Sequence, residues 1–147
     1  MDALLIFGGV MGIGVIVALL FAAKPVYGED MTAAPSDKVK RLAEAISVAE
    51  GSPFGWNNPG DLTKSFGYAT LGVGNSAGVL KFATPQDGWN ALYAQLNAII
   101  LGQSHWSLDT TLEDFGLGYS GGDSNWAVNV ANQLGIDTSV TLREILL

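Results

Sequence analysis

Glu50 is the residue with the clearest capacity for chemistry, and it directly precedes a loop rich in Asn, Pro and Gly. When the chain from Val39 onward is wound as a helix, at about 100° per residue, Glu50 falls in the apolar stripe of Val39, Ala43 and Ile46. Glu44 falls on the polar side of the same helix, where a charged residue is expected. A carboxyl on an apolar face has its pKa raised by desolvation, which is what a proton donor near neutral pH requires. We therefore predict that Glu50 is a general acid.

Aromatic and amide side chains follow Glu50 at positions that the sequence predicts to be loops. Flat rings can stack on sugar rings, and amides can hydrogen-bond to hydroxyl and acetamido groups. A raised-pKa carboxyl beside such side chains is the arrangement of glycosidases. The predicted substrate-binding residues are Trp56, Asn57, Asn58, Tyr68 and Tyr119.

The composition excludes several classes of function. The chain has 147 residues, a net charge of −7 and no Cys. No basic run is present that could neutralise phosphates, so a nucleic-acid partner is not expected. No disulfide or thiolate metal site can form, and no His or acidic residues stand at ligand spacing, so we expect no metal and no cofactor. The one His, His105, is interpreted as a surface or packing residue.

Residues 3–23 form an uncharged stretch of 21 residues with several Gly. A helix of this length crosses a hydrocarbon core of about 30 Å, so the sequence predicts a transmembrane anchor over 1–24 and a linker over 25–36. The protein would then be a single-pass membrane protein with lipid as a partner. The basic residues that follow the stretch predict that the domain lies on the cytoplasmic side. A cleaved signal peptide is the alternative, which Asp2 and the length of the stretch disfavour.

Residues 37–147 are predicted to form one domain. Its fold class is mainly α, in the broader class α+β, with a small β-hairpin and one preceding transmembrane helix. Thr84, Pro85 and Asp87 are typical of a helix start, and Thr141 with Glu144 forms a capping box. The predicted helical segments are 37–50, 85–101, 112–117, 125–134 and 141–147, and the predicted strands are 68–71 and 79–82.

Five blocks in this domain, in consistent order, together resemble the lysozyme-like transglycosylase domains found in many phage particles. The blocks are Ala49-Glu50-Gly51, Asn57-Asn58-Pro59-Gly60-Asp61-Leu62, Asp87-Gly88-Trp89, the run from Thr111 to Tyr119, and the run from Asp123 to Gly135. The resemblance covers residues 37–147. It implies a lysozyme-like fold, peptidoglycan as the substrate, and cleavage of the β-1,4 bond between N-acetylmuramic acid and N-acetylglucosamine. It also implies that Glu50 is the catalytic acid and that Asn58 and Tyr119 contact sugars.

The reaction type depends on whether a second carboxyl takes part. A lytic transglycosylase needs one carboxyl, acting as acid and then as base, whereas a hydrolytic muramidase usually needs two. Asp61 is the candidate for the second carboxyl, and it could instead end a turn by bonding to the backbone. Transglycosylase is the leading hypothesis, in a virion-associated enzyme that opens the host cell wall during phage entry, with other virion proteins as further partners. The predicted anchor would then lie in the membrane of a phage virion or, in a host-encoded enzyme, in the bacterial inner membrane. We keep two alternatives: a muramidase using Glu50 and Asp61, and a non-catalytic, membrane-anchored glycan-binding or structural virion protein.

Overall fold

A computed structural model of the protein describes residues 34–51 and 55–147. In this part of the chain five helices surround a core and a two-stranded antiparallel sheet lies beside them. In chain order the elements are α1 (Asp37–Glu50), β1 (Thr70–Val73), β2 (Leu80–Phe82), α2 (Pro85–Ile100), α3 (Leu112–Tyr119), α4 (Ser124–Leu134) and α5 (Leu142–Leu146). The arrangement is α+β.

The predicted fold class and the predicted membrane localisation need correction. No helix in residues 34–51 and 55–147 is long and apolar enough to cross a membrane. The longest, α2, has 16 residues and therefore spans about 24 Å, less than a hydrocarbon core of about 30 Å. The segment 3–23, on which the anchor was predicted, lies outside the described residues, as does most of the predicted linker.

Short polar side chains set where the helices begin. Ser36 accepts a hydrogen bond from the Val39 amide at the start of α1, and Thr84 does the same for the Asp87 amide at the start of α2. Thr141 and Glu144 form the predicted capping box of α5. Such side chains satisfy amides that have no partner inside the helix. Helix starts were therefore readable from the sequence.

The end of α3 differs from the prediction, which stopped this helix at Leu117 because of Gly116 and Gly118. The helix continues to Tyr119. A Cβ on Gly116 would lie 2.8 Å from the Cβ of Ala127, so this glycine allows α3 to approach α4 closely. Its role is packing between helices, and it does not break the helix.

The strands are also displaced from their predicted positions. Thr70 pairs with Phe82 and Val73 with Leu80, with an irregularity between Thr70 and Gly72. The pairing therefore includes Gly72, which the sequence pattern had placed in the hairpin tip. Asn75 closes the tip, because its side-chain oxygen accepts hydrogen bonds from the amides of Ala77 and Val79.

The core lies between α1, α2, α3 and α4. Helix α4 packs against α1 and α3, and α1 also contacts α2 and α5. The largest fully buried apolar side chains are Phe82, Phe115, Leu42, Ile46, Leu92, Leu96, Ile99, Leu112, Leu142, Val39 and Val130. This packing brings the last turn of α1 next to the first turn of α4, which is where the candidate site lies.

Candidate functional site

Glu50 is the last residue of α1, and its side chain is half-buried. The indole Nε1–H of Trp126, near the start of α4, donates a hydrogen bond of 2.7 Å to Oε1 of Glu50. Burial raises the pKa of Glu50 from 4.5 to about 7, and the Trp126 hydrogen bond opposes this increase because it favours the carboxylate. The charge of Asp61 and a hydrogen bond to Asp61 raise the pKa further. A substantial fraction of Glu50 is therefore protonated at neutral pH.

Asp61 is brought to Glu50 by the loop that follows α1. The two side chains are close enough that the charge of Asp61 and a side-chain hydrogen bond to it raise the pKa of Glu50. Asp61 has a φ of 47°, in the left-handed region that non-glycine residues seldom occupy. Such backbone strain persists only where the surrounding structure imposes it, and it is frequent at functional sites.

The loop is held in shape by Asn58. Its amide group donates to the carbonyl oxygens of Leu62 (3.0 Å) and Leu80 (2.8 Å), and its Oδ1 accepts from the Leu62 amide (2.8 Å). The residue is only 2% exposed. The Asn58 side chain therefore ties the loop to β2. Its role as a sugar contact stays a prediction.

Two glycines let the loop sit against the helices. A Cβ on Gly88 of α2 would lie 1.7 Å from the carbonyl oxygen of Asn57, so the loop backbone rests directly on α2. A Cβ on Gly60 would lie 2.8 Å from the hydroxyl oxygen of Tyr119. The Tyr119 hydroxyl donates to the Gly60 carbonyl oxygen at 2.7 Å. The contacts at Gly88 and Gly60 hold the loop that carries Asp61, which is the residue after Gly60.

Aromatic rings pack around Trp126, the hydrogen-bond partner of Glu50. Tyr119 stacks on Trp126 with ring centroids 4.9 Å apart and on Trp106 at 5.9 Å, and Phe115 contacts all three rings. Burial and the nearby charges of Glu50 and Asp61 raise the pKa of Tyr119 well above its usual value. Its hydroxyl therefore stays protonated and acts as a donor. The Tyr119 hydroxyl holds the residue before Asp61, and its ring is half-buried.

The other predicted sugar contacts are Trp56 and Asn57, which contact the hairpin, and Tyr68, which packs against α2. The ring of Trp56 packs on Gly74, with Lys81 Nζ 5.6 Å from its centre. Asn57 donates to the Phe82 carbonyl oxygen at 3.1 Å. Tyr68 packs against alanines of α2, and burial raises its pKa, with a smaller contribution from the charge of Asp87. All three are half-buried, so the structure leaves part of each side chain accessible.

Trp126 is a residue of the candidate site that sequence reasoning missed. Its position on the apolar face of α4 predicts a core residue, and it is only 3% exposed. Nothing in the sequence indicates that its indole nitrogen faces Glu50, since the two residues are 76 positions apart. A buried Trp generally requires a hydrogen-bond acceptor for its N–H, and Glu50 is that acceptor here.

A cavity of about 430 Å³ opens on the far side of Asp61. Asp61 and Tyr119 form one part of its wall, and Lys64, His105 and Trp106 lie in the rest. His105, interpreted from the sequence as a surface or packing residue, is exposed, and its ring centre lies 3.8 Å from that of Trp106. No group of three potential His, Cys or acidic metal ligands occurs in the described part of the chain.

Comparisons with known proteins found no match to a protein-family model, a curated protein or a solved structure. The function must therefore be inferred from the site itself.

Proposed function

We propose that the protein is a peptidoglycan lytic transglycosylase with Glu50 as its catalytic acid and base. The observation that carries this proposal is the environment of Glu50: a half-buried carboxyl with a pKa of about 7, between Trp126 and Asp61. A general acid is most effective when its pKa lies near the working pH.

The reaction would use one carboxyl twice, first as an acid and then as a base. Protonated Glu50 donates its proton to the glycosidic oxygen, the bond from that oxygen to C1 of the muramic acid breaks, and positive charge develops at C1. Ionised Glu50 then removes the proton of the C6 hydroxyl of the same sugar, and the C6 oxygen bonds to C1 to close a 1,6-anhydro ring. The leaving N-acetylglucosamine keeps the first proton, and Glu50 ends protonated, ready for another cycle.

The effect of Asp61 on Glu50 supports transglycosylation over hydrolysis. Hydrolytic glycosidases use a second carboxyl as base or nucleophile. Here Asp61 acts on Glu50 itself, because its charge and a side-chain hydrogen bond both raise the pKa of Glu50. In the proposed reaction Asp61 keeps Glu50 protonated, and its negative charge would stabilise the positive charge at C1.

Product analysis is the direct test. Purified protein is incubated with peptidoglycan sacculi, and the soluble products are separated and weighed by mass spectrometry. We expect muropeptides that end in 1,6-anhydromuramic acid, which are one water lighter than those with reducing ends. Reducing ends alone would instead identify a muramidase. Binding to sacculi without any release would favour a glycan-binding protein.

Hydrolytic muramidase is the second candidate, because Asp61 does lie beside Glu50. Asp61→Asn separates the two reactions, since Asn tolerates the left-handed backbone of this position and keeps the side-chain shape. For a transglycosylase we expect the rate at acidic pH to stay within about tenfold of wild type. A loss of more than about 10²-fold at every pH would indicate that Asp61 takes a direct part in hydrolysis.

The resemblance to phage-particle domains also leads us to propose a role in local opening of the host cell wall during entry. Detection of the chain in purified virions by peptide mass spectrometry tests this role independently of the chemistry. Its absence from particles that contain the other structural proteins would contradict it.

A further inference from the structure

The cavity beside Asp61 adjoins the candidate catalytic centre but is distinct from it. Asp61 affects the pKa of Glu50 and also forms part of the cavity wall, so the cavity lies next to the catalytic candidate. A volume of about 430 Å³ is within the range of small-ligand sites, which is about 300–1,000 Å³. A substituent on a sugar bound at Glu50 could therefore extend into it.

The cavity wall carries a cation, Lys64, opposite in charge to the carboxyl of Asp61 in the same wall. The chain has a net charge of −7, and two of the six Lys and Arg residues in the described part form ion pairs. Lys40 pairs with Asp37 at 3.4 Å, and Arg143 pairs with Asp109 at 2.9 Å. Lys64 lines the cavity, and its ammonium group forms no ion pair with the residues of 34–51 and 55–147. It is free to bind a carboxylate of a ligand.

Polar groups around the same cavity suit a ligand with amide bonds. The side-chain Oε1 of Gln95 is buried and accepts no hydrogen bond in the described structure. An unsatisfied buried acceptor costs about 1–3 kcal/mol, and rotation of this amide toward the cavity would let it accept an N–H from a ligand. Ser104 and the exposed imidazole of His105 add further hydrogen-bonding groups.

We infer that this cavity binds the acidic peptide attached to the lactyl group of muramic acid. The peptide offers N–H donors for Gln95 and carboxylates for Lys64 and His105, whereas the bare glycan offers no carboxylate beyond the lactyl group. The inference rests on the proposed function, since it assigns the orientation of the same substrate. It predicts that the protein distinguishes peptide-bearing from peptide-free glycan.

Binding of two soluble probes tests this assignment without turnover. The full chain carrying Glu50→Gln is titrated calorimetrically with the disaccharide N-acetylglucosaminyl-N-acetylmuramic acid, with and without its stem peptide. We expect the peptide-bearing probe to bind about tenfold tighter. Adding Lys64→Gln should weaken binding of that probe about three- to tenfold and leave the peptide-free probe unchanged. Lys40→Gln, an exposed cation outside the cavity, is the matched control and should change neither affinity.

Equal affinity for the two probes would overturn the assignment, and so would a Lys64→Gln effect that is equal on both. The failure of the inference can be distinguished from that of the proposed function. If the wild-type protein releases anhydro-products but shows no preference for the peptide, only the cavity assignment fails. If the wild-type protein neither binds the peptide-free disaccharide nor degrades sacculi, the transglycosylase proposal itself fails.

Discussion

Glu50 and Glu144 are two glutamates at helix ends whose pKa values move in opposite directions. Glu144 lies in the first turn of α5, fully exposed, and its Oε2 accepts hydrogen bonds from the Thr141 amide (2.9 Å) and hydroxyl (2.8 Å). These hydrogen bonds, that of the amide first, lower its pKa. Glu50 lies in the last turn of α1 and also accepts a hydrogen bond, yet burial raises its pKa to about 7.

The difference shows which effect dominates at each position. One short hydrogen bond from Trp126 favours the Glu50 carboxylate, but it does not compensate for the loss of water and for the neighbouring charge of Asp61. Glu144 keeps its water and gains the amide partner that a helix start provides. Glu144 therefore has a structural role as a carboxylate, whereas Glu50 can hold a proton near neutral pH. The predictions below test this contrast.

The largest expected effect is on activity. Glu50→Gln keeps the shape and an acceptor for Trp126 but cannot transfer a proton, so we expect peptidoglycan release to fall by about 10²–10⁴-fold. Glu144→Gln should retain activity within about twofold, since the Glu144 side chain is exposed and hydrogen-bonds to Thr141 at the start of α5. Both are measured by release of soluble muropeptides from sacculi. Comparable rates for Glu50→Gln and wild type would remove the catalytic assignment.

Gly88→Ala should move the Asp61 loop without changing either carboxyl. In an ordinary helix this substitution stabilises by up to about 1 kcal/mol. Here the added Cβ would collide with the Asn57 carbonyl oxygen, so we expect a loss of about 1–3 kcal/mol in the free energy of unfolding. Urea denaturation followed by circular dichroism measures it. Gly102→Ala is the comparison without a collision, because a Cβ there meets no atom within 4 Å and only the φ of 68° is unfavourable. A Gly88→Ala protein that is more stable than wild type would contradict the close contact between Gly88 and the Asn57 carbonyl oxygen.

The pH dependence of stability should show the two glutamates acting with opposite sign. Glu50 has a higher pKa folded than unfolded, so the folded protein takes up a proton between pH 4.5 and about 7, and the free energy of unfolding falls as pH rises through this window. The free energy of unfolding of Glu50→Gln, relative to that of wild type, should therefore rise by about 1–2 kcal/mol from pH 4 to pH 8. This value allows for the partial exposure of Glu50.

For Glu144→Gln the sign is reversed. Its folded pKa is lowered, so its contribution to stability is present above its unfolded pKa and is lost as pH falls through the folded value. The variant should lose stability relative to wild type at neutral pH and approach it in acid. Denaturation series at both pH values measure the two variants side by side. The same pH trend in both would refute the contrast.

The smallest expected effect is on the pH profile of the reaction. The wild-type rate should decline above about pH 7 as Glu50 ionises. Asp61→Asn removes a charge that raises the Glu50 pKa, so the decline should begin at lower pH. Trp126→Phe removes a hydrogen bond that lowers this pKa, so the decline should begin at higher pH, each by roughly one pH unit or less. The profile of kcat measures both, and shifts in the same direction would disagree with the described contacts.

Local features of this chain were predictable because they depend on neighbours in sequence. The placement of Glu50 on the apolar stripe of α1, the caps at Thr84 and Thr141, and the glycine that ends α1 all follow from helical spacing and from unpaired backbone groups. The strand positions were less predictable, since the register of a short hairpin is set by its turn and by the irregularity near Gly72.

The sequence by itself determined that a carboxyl would lie on a buried helical face next to a tight loop. Only the tertiary structure decided what this carboxyl could do. The Trp126 indole hydrogen-bonds to this carboxyl, although the two residues are 76 positions apart. The Tyr119 hydroxyl hydrogen-bonds to the Gly60 carbonyl oxygen, 59 positions away, and Gly88 allows the loop backbone to contact α2. These contacts arise from the packing of separate elements, and no local pattern encodes them. The pKa of Glu50 depends on burial and on charges brought near by that packing, so its chemistry is a property of the folded chain.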